Sequence, residues 1–456
     1  MTSFQERTRL RRRSFLFGSG LAVAGLAGCL DDDEPADDEV DDDGGNGGDD
    51  DDDGNGDDDG DDGEESFAQP AAPEPDFLVG DSDDADYGTL QAAYDALESG
   101  DVIGLEPGTH TLQPEVDNAE VGDGEDLTRT YTYVGDPDEE TTIEFVQPDA
   151  DSFVVRGPQR FRPEDGPPGF WNLTLELPDD VSFDRIDEYE DDYDEGQSDV
   201  NYCTIHGTFD GPVDAYETTF TDPLSHELSP TNCHFHGDVS GSRITARRCQ
   251  FDGSLTSEGG YVLDSTIEGT TNLNSVTMIR CELKNGLNVT GNGRVEGCVI
   301  EPFDDGSKAI SISSSYDVAI TESEIRGSVR SNQDGSYIER FELNVFDVPS
   351  STRYIIDGAP ATDIYLNAFV GGDVRITTDT GDLSTFPADA LTLYDPDREL
   401  GNHYSEYDGD VDLEDDDGDL HILETRTLPG EDGEMDRHPL ASPDVEAYAE
   451  AAAEDD

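Results

Sequence analysis

The chain has 456 residues and carries 111 acidic against 25 basic side chains, a formal net charge of −86 at pH 7. Such a field repels a duplex or any polyanionic surface, which excludes nucleic-acid binding. An acidic surface with only two lysines, Lys284 and Lys308, is instead what keeps a halophilic protein soluble in molar salt, where a Debye length of ~3 Å screens self-repulsion.

The first residues read as an address. Arg11-Arg12-Arg13-Ser14-Phe15-Leu16 is followed by an apolar run too short to span a bilayer as an ordinary helix, and then by Leu26-Ala27-Gly28-Cys29. The first motif resembles the twin-arginine export signal and the second a lipobox. In this order they imply cleavage after residue 28, a lipid on Cys29 and anchorage to the outer face of the cell membrane through that lipid alone. Residues 29–75 form the next segment. From Asp31 to about Glu65 it is Asp and Gly with scarcely an apolar residue, so it buries no core and reads as a self-repelling acidic tether.

Folded sequence begins near residue 76. Leu90, Ala93, Tyr94 and Leu97 share one helical face, with Gly100 as a stop, and Asp101 to Leu105 follows as a strand. Strands are predicted over Tyr131 to Val134, Thr142 to Val146, Phe153 to Val155 and Trp171 to Leu177. Pro158 to Pro168 and Pro178 to Val200 read as loops between them.

From Cys203 a short phrase recurs: a small residue, any residue, an apolar residue, any residue, a turn former. It reads Cys203-Thr-Ile205-His-Gly207, then begins again at Thr218, Cys233, Cys249, Ser265, Cys281, Cys298 and Ser323. The first seven copies start at steps of 15, 15, 16, 16, 16 and 17 residues, and only the last, 25 residues on, needs an insertion. The alternation is that of a strand with two inward side chains, and the period suits one coil of a three-sheeted solenoid with rungs ~4.8 Å apart. In this the chain resembles the pectin-lyase-like family. The resemblance implies an all-β fold over residues 76–395, a single-chain right-handed parallel β-helix whose first helix is an N-terminal cap. Beyond Gly327 the phrase loosens to Asn344-Val-Phe346 and Asn367-Ala-Phe369-Val-Gly371.

The five cysteines of the repeat share its inward small position. They read as a stack of small buried side chains, with disulfides between Cys233 and Cys249 and between Cys281 and Cys298 as the alternative. The positions flanking each apolar residue face solvent as two ladders. One runs His206, Thr221, His236, Asp252, Glu268, Lys284, Glu301, Arg326; the other includes His234, Gln250 and Glu282.

Three readings of that face stay open: a solvated charged surface, a binding surface for a polysaccharide or surface glycan, and a catalytic one. For catalysis the candidates are Asp252, Glu268, Lys284, Arg280 and His236. Asp252 with Glu268 on neighbouring rungs would give a carboxylate pair for hydrolysis. Alternatively, Ca²⁺ with Lys284 or Arg280 as base would serve β-elimination from a uronate. The Asn-Thr-Asp and Gly-His-Gly motifs of polygalacturonases and the Arg-x-Pro-x-x-Arg of pectate lyases are missing.

Residues 396–456 form the closing segment. Gly401-Asn402-His403-Tyr404-Ser405-Glu406-Tyr407-Asp408-Gly409 and Asp436-Arg437-His438-Pro439-Leu440 resemble the closing signature of NosD-type β-helix proteins, with His403, Tyr404 and His438 departing from it. That resemblance implies a carbohydrate-associated or metalloenzyme-accessory role; copper is a poor fit, because soft ligands are scarce. Between the two motifs, Asp410, Asp412, Asp415, Asp417 and Asp419 are spaced to offer Ca²⁺ several carboxylate oxygens. The expectation is a monomeric, surface-anchored β-helix that binds or scaffolds, with a lyase or glycoside hydrolase as the alternative.

Overall fold

The computed structural model describes residues 69–97, 100–113, 131–146, 153–154, 169–177, 181–182, 198–207, 209, 213–304, 306, 308–313, 318–331, 338–348, 356–357, 361–370, 376–377, 393–396, 398–404, 426–427 and 435–454. All belong to one compact unit, Ala68–Asp456. Cys29 and the five aspartates from Asp410 to Asp419 lie outside the described residues, as do the export motif and the acidic tether.

Within the described residues the chain winds through three long sheets, of 14, 14 and 9 strands, in which every strand pairs in parallel with the strand one coil later. The first sheet runs from Phe77–Val79 to Ala361–Tyr365, the second from Gly108–Leu112 to His403–Tyr404, and the third from Leu224–Ser225 to Ile376–Thr377. The architecture is the expected parallel β-helix. Its strands are two to five residues long, and period-two alternation sends one set of side chains inward and the next to solvent. The repeated apolar position is the inner column of the second sheet: Ile205, Phe220, Phe235, Phe251, Ile267, Leu283, Ile300 and Ile325 are each 2 % exposed or less.

The corner between the first and second sheets is built by one residue per coil in the left-handed region. Tyr202, Glu217, Asn232, Arg248, Asp264, Arg280, Glu322, Leu343 and Leu366 all have φ between 48° and 58°. For an L residue this costs roughly 1–2 kcal/mol, a strain that the flanking ladders hold in place. The corner carries almost no glycine, and apart from Asn172, Asn232 and Asp264 its residues give little turn signal. The strand predicted over Trp171 to Leu177 is two strands, Gly169–Trp171 and Thr174–Glu176, broken at Asn172, an asparagine that takes this conformation readily at φ 55°. At the other corner glycine is needed for space. A Cβ at Gly253 would lie 2.5 Å from the Gly237 backbone, and one at Gly269 would lie 2.4 Å from that of Gly253.

Both ends of the solenoid are closed. The helix Leu90–Ala96 is N-capped by Thr89, whose hydroxyl accepts from the Ala92 N–H at 3.2 Å; Leu90, Ala93 and Leu97 are buried beneath it. Tyr131 fastens it by donating to the carbonyls of Tyr94 and Leu97 at 3.0 and 2.9 Å. At the far end the loosened phrases at Asn344 and Asn367 are true rungs, and His403–Tyr404 adds a further one, paired with Ala368 and Phe369.

The small inward column changes character along the solenoid. Its cysteines are free and buried, and their thiols point to backbone carbonyls: Cys233 to Ala215 at 3.4 Å, Cys281 to Val262 at 3.3 Å. The disulfide alternative for Cys233 with Cys249 and Cys281 with Cys298 is therefore corrected: all five are free thiols, and within each pair the neighbours meet through hydrogen bonds and not through a covalent bridge. Burial pushes the Cys203 thiol up to about 12.

Past Ser323 the column becomes a buried asparagine ladder. Asn344 donates to Asn367 Oδ1 at 3.0 Å, and Asn367 donates to Asn402 Oδ1 at 3.1 Å. Asn402 in turn takes Asp436 as partner: its backbone N–H donates to Oδ2 at 2.8 Å, and the Tyr404 hydroxyl donates to the same oxygen at 3.0 Å. Gly401 N donates to the His438 carbonyl and Leu440 N to the Asn402 carbonyl. The two halves of the closing motif thus meet as the terminal lid, and a Cβ at Gly401 would strike the Asp436 carboxylate at 2.0 Å. The helix Val445–Glu454 packs Val445, Tyr448 and Ala449 against Leu366, Ala368 and Leu400 beside it.

Asp199 and Asp214 stand opposite one another on adjacent rungs of the first sheet. Burial, with the Asp214 charge beside it, lifts the Asp199 carboxyl to about 6. Its folded value stands above that of the unfolded chain, ~3.9. Asp199 therefore favours the fold in acid and withdraws that support as the pH rises through about 6. Asp199→Asn is expected to raise stability at neutral pH and to flatten the pH dependence between about pH 4 and pH 6. Thermal melts across that range check it, and a slope unchanged from wild type would contradict it.

Candidate functional site

The outward ladder expected on the second sheet is present. Backbone N–H groups of His236, Asp252, Glu268, Lys284, Glu301 and Arg326 each donate to the carbonyl of the apolar residue one coil earlier, which stacks them in one column. Thr204, Thr219, His234, Gln250, Thr266 and Glu282 pair in register as the second column. Four of the five catalytic candidates, His236, Asp252, Glu268 and Lys284, therefore share a face.

Arg280 does not. It occupies the left-handed corner, and its guanidinium runs along the stack to Asp264, with Nε and Nη2 donating to the two carboxylate oxygens at 2.7 and 2.9 Å. That hydrogen-bonded pair raises the Arg280 pKa further, so Arg280 is no base.

Neighbouring charges neutralise much of the ladder. Lys284 is held by Glu282, two residues before it, and Arg326 is clasped by Glu324 at 2.8 Å and by Glu301. His206 leans on Thr221 at 3.2 Å. Asp252 turns to two histidines instead of to Glu268. His234 Nε2 lies 3.0 Å and His236 Nδ1 2.6 Å from the same oxygen, Oδ2, while Gln250 donates to Oδ1 at 2.9 Å. The His234 bond first, then those of Gln250 and His236, hold the Asp252 carboxyl down to about 2. Of the carboxylate pair considered for hydrolysis, Asp252 would therefore be the ionised member and not the proton-bearing one.

A second surface was not visible as a motif. On the third sheet the outward positions Ser225, Ser240, Thr256, Asn272, Asn288 and Ser311 stand in register on six successive rungs. None carries a charge. The amides are linked along the stack: Asn288 Nδ2 donates to Asn272 Oδ1 at 2.9 Å, and Asn272 Nδ2 donates to Thr256 Oγ1 at 3.2 Å. Ser225, Ser240 and Thr256 are exposed, Asn272 and Asn288 half-buried, and Ser311 buried. The strip therefore deepens toward Arg330, which follows Ser311 in register. Each turn of the coil offers this face a hydroxyl or an amide, at a rise of ~4.8 Å.

No family model matches the chain, and no curated protein does. Among solved structures it is similar to tailspike protein 3 of bacteriophage CBA120, at a TM-score of 0.36 and 13% identity. The match covers 72% of this chain and 57% of the tailspike chain. The β-helix stands on its own three sheets, and the site chemistry on the residues above.

Proposed function

We propose that the protein is an exported, lipid-anchored β-helix that binds a neutral glycan at the cell exterior, through the outer face of its third sheet. The observation that carries this is the charge-free strip from Ser225 to Ser311 in a chain of net charge −86. A polyanionic polysaccharide would meet a repulsive field over the whole molecule, whereas a neutral one meets none. Aligned amides and hydroxyls supply donors and acceptors together, which sugar hydroxyls need, and the rung spacing is comparable with the length of one pyranose unit. The twin-arginine motif, the Leu26 to Cys29 lipobox and the Asp/Gly tether support a placement in which the solenoid is held clear of the membrane. Calcium at Asp410 to Asp419 belongs to the same reading as an accessory cation.

A glycan array in molar potassium chloride tests the binding. The wild type is expected to retain neutral oligosaccharides in preference to uronates. Asn272→Asp with Asn288→Asp is expected to abolish retention, because two carboxylates then break the amide relay. Binding that is confined to acidic glycans, or untouched by the double substitution, would overturn the reading.

A further inference from the structure

The second sheet carries a different chemistry, which does not depend on glycan binding. His234 opens the strand His234–Phe235 and His236 follows it directly, its N–H still bonded to the Phe220 carbonyl one coil earlier, so both rings project from the same side. Asp252 follows one rung later in the column of His236. The result is a tripod: His234 Nε2, His236 Nδ1 and Asp252 Oδ2 all lie within 4.8 Å of one another. Among the described residues this is the one place where three such side chains converge.

Three features distinguish the tripod from an ordinary surface ion pair. Both rings turn toward a single carboxylate oxygen, at 3.0 and 2.6 Å, with their centroids 4.1 Å apart. Gln250 holds the other carboxylate oxygen at 2.9 Å and so presents Oδ2 alone, as the outer partners of metal ligands do. The three side chains remain 34 %, 44 % and 34 % exposed, which leaves a fourth direction open to water.

We propose that His234, His236 and Asp252 bind one divalent transition-metal ion, zinc by preference, on the outer face of the second sheet. Two imidazoles and one carboxylate suit zinc and its neighbours in the first transition row, whereas calcium and magnesium require oxygen ligands throughout. Around a tetrahedral zinc, donor atoms stand roughly 3.3 Å apart. The present separations, 3.0 and 2.6 Å from Asp252 Oδ2 with all three donor atoms within 4.8 Å of one another, lie near that value.

The test is zinc retention by the full chain, dialysed with excess Mg²⁺ to occupy the acidic tether and surface, then analysed for metal content. Wild type is expected to keep one zinc per chain, and His234→Ala and Asp252→Asn to lose it. Gln250→Ala is expected to keep the ion with about tenfold weaker affinity, and His206→Ala to match wild type. Substituting Co²⁺ gives a second readout: intense visible bands of a four- or five-coordinate ion in wild type, absent from His234→Ala. All these positions are on the surface, so far-ultraviolet circular dichroism should show each variant folded. Equal zinc in wild type and His234→Ala, or none in wild type, would overturn the proposal. Because the probe is the metal alone, neither outcome bears on the glycan strip.

Discussion

Asn367→Ala is expected to cost the terminal rungs roughly 3–5 kcal/mol, the sum of several buried polar groups losing partners at once. The Asn367 side chain is fully buried and donates to the carbonyls of Phe341 and Tyr365, each at 2.9 Å, and to Asn402 Oδ1. Its own oxygen accepts from the backbone and side-chain N–H groups of Asn344, at 3.1 and 3.0 Å. Alanine fills the volume poorly and answers none of these. Cys281→Ala, at the same position of an earlier coil, removes only a weak thiol donor and is expected to cost below about 1.5 kcal/mol. Because neighbouring coils are the main partners of any coil in a solenoid, the Asn367 loss should be local. Hydrogen exchange in molar salt reads it as faster opening between residues 341 and 404. Uniform protection equal to wild type would contradict the ladder's role.

Phe235→Ala is the second large effect. The ring lies between those of Phe220 and Phe251, at centroid distances of 5.0 and 4.8 Å and within a few degrees of parallel. Removing the middle of three stacked rings leaves a cavity that rigid backbone ladders cannot close, and about 3–5 kcal/mol is expected to go with it. His236→Ala, the next residue along but facing solvent, is expected to change stability by less than about 0.5 kcal/mol when no metal is present. Denaturant titrations of the pair check the alternation directly. A large loss at His236 or a small one at Phe235 would mean the strand's inward and outward faces are assigned the wrong way round.

What the amino-acid order disclosed follows from what each sheet leaves in it. The second sheet is legible because its inner column is uniformly apolar and each copy of its phrase ends on a turn former, often glycine. That regularity also placed His234, His236, Asp252 and Gln250 on one face. It could not show that the histidines turn to Asp252, because side-chain direction within a ladder depends on which neighbour offers the better partner. The left-handed corner was legible only in part: Asn172, Asn232 and Asp264 suit a turn, but Tyr202, Glu217 and Arg248 are not residues that announce one. The third sheet was hidden for another reason. Its inner column, Leu224, Val239, Leu255, Thr271, Leu287 and Ile310, lies outside the recurring phrase and is broken by one threonine, and the neutral strip beside it emerges only when the coils are stacked. The closing motif was visible as sequence, but its work lies in contacts spanning more than thirty residues: Asn402 to Asp436, Gly401 to His438.

The functional account turns on which outer face meets the glycan. Crystals of the full chain, soaked with a neutral oligosaccharide retained in molar salt, place it directly. Sugar hydroxyls bonded to Thr256, Asn272 and Asn288 are the result expected; density seated on the His234 and Asp252 face instead, with the third sheet bare, would contradict it.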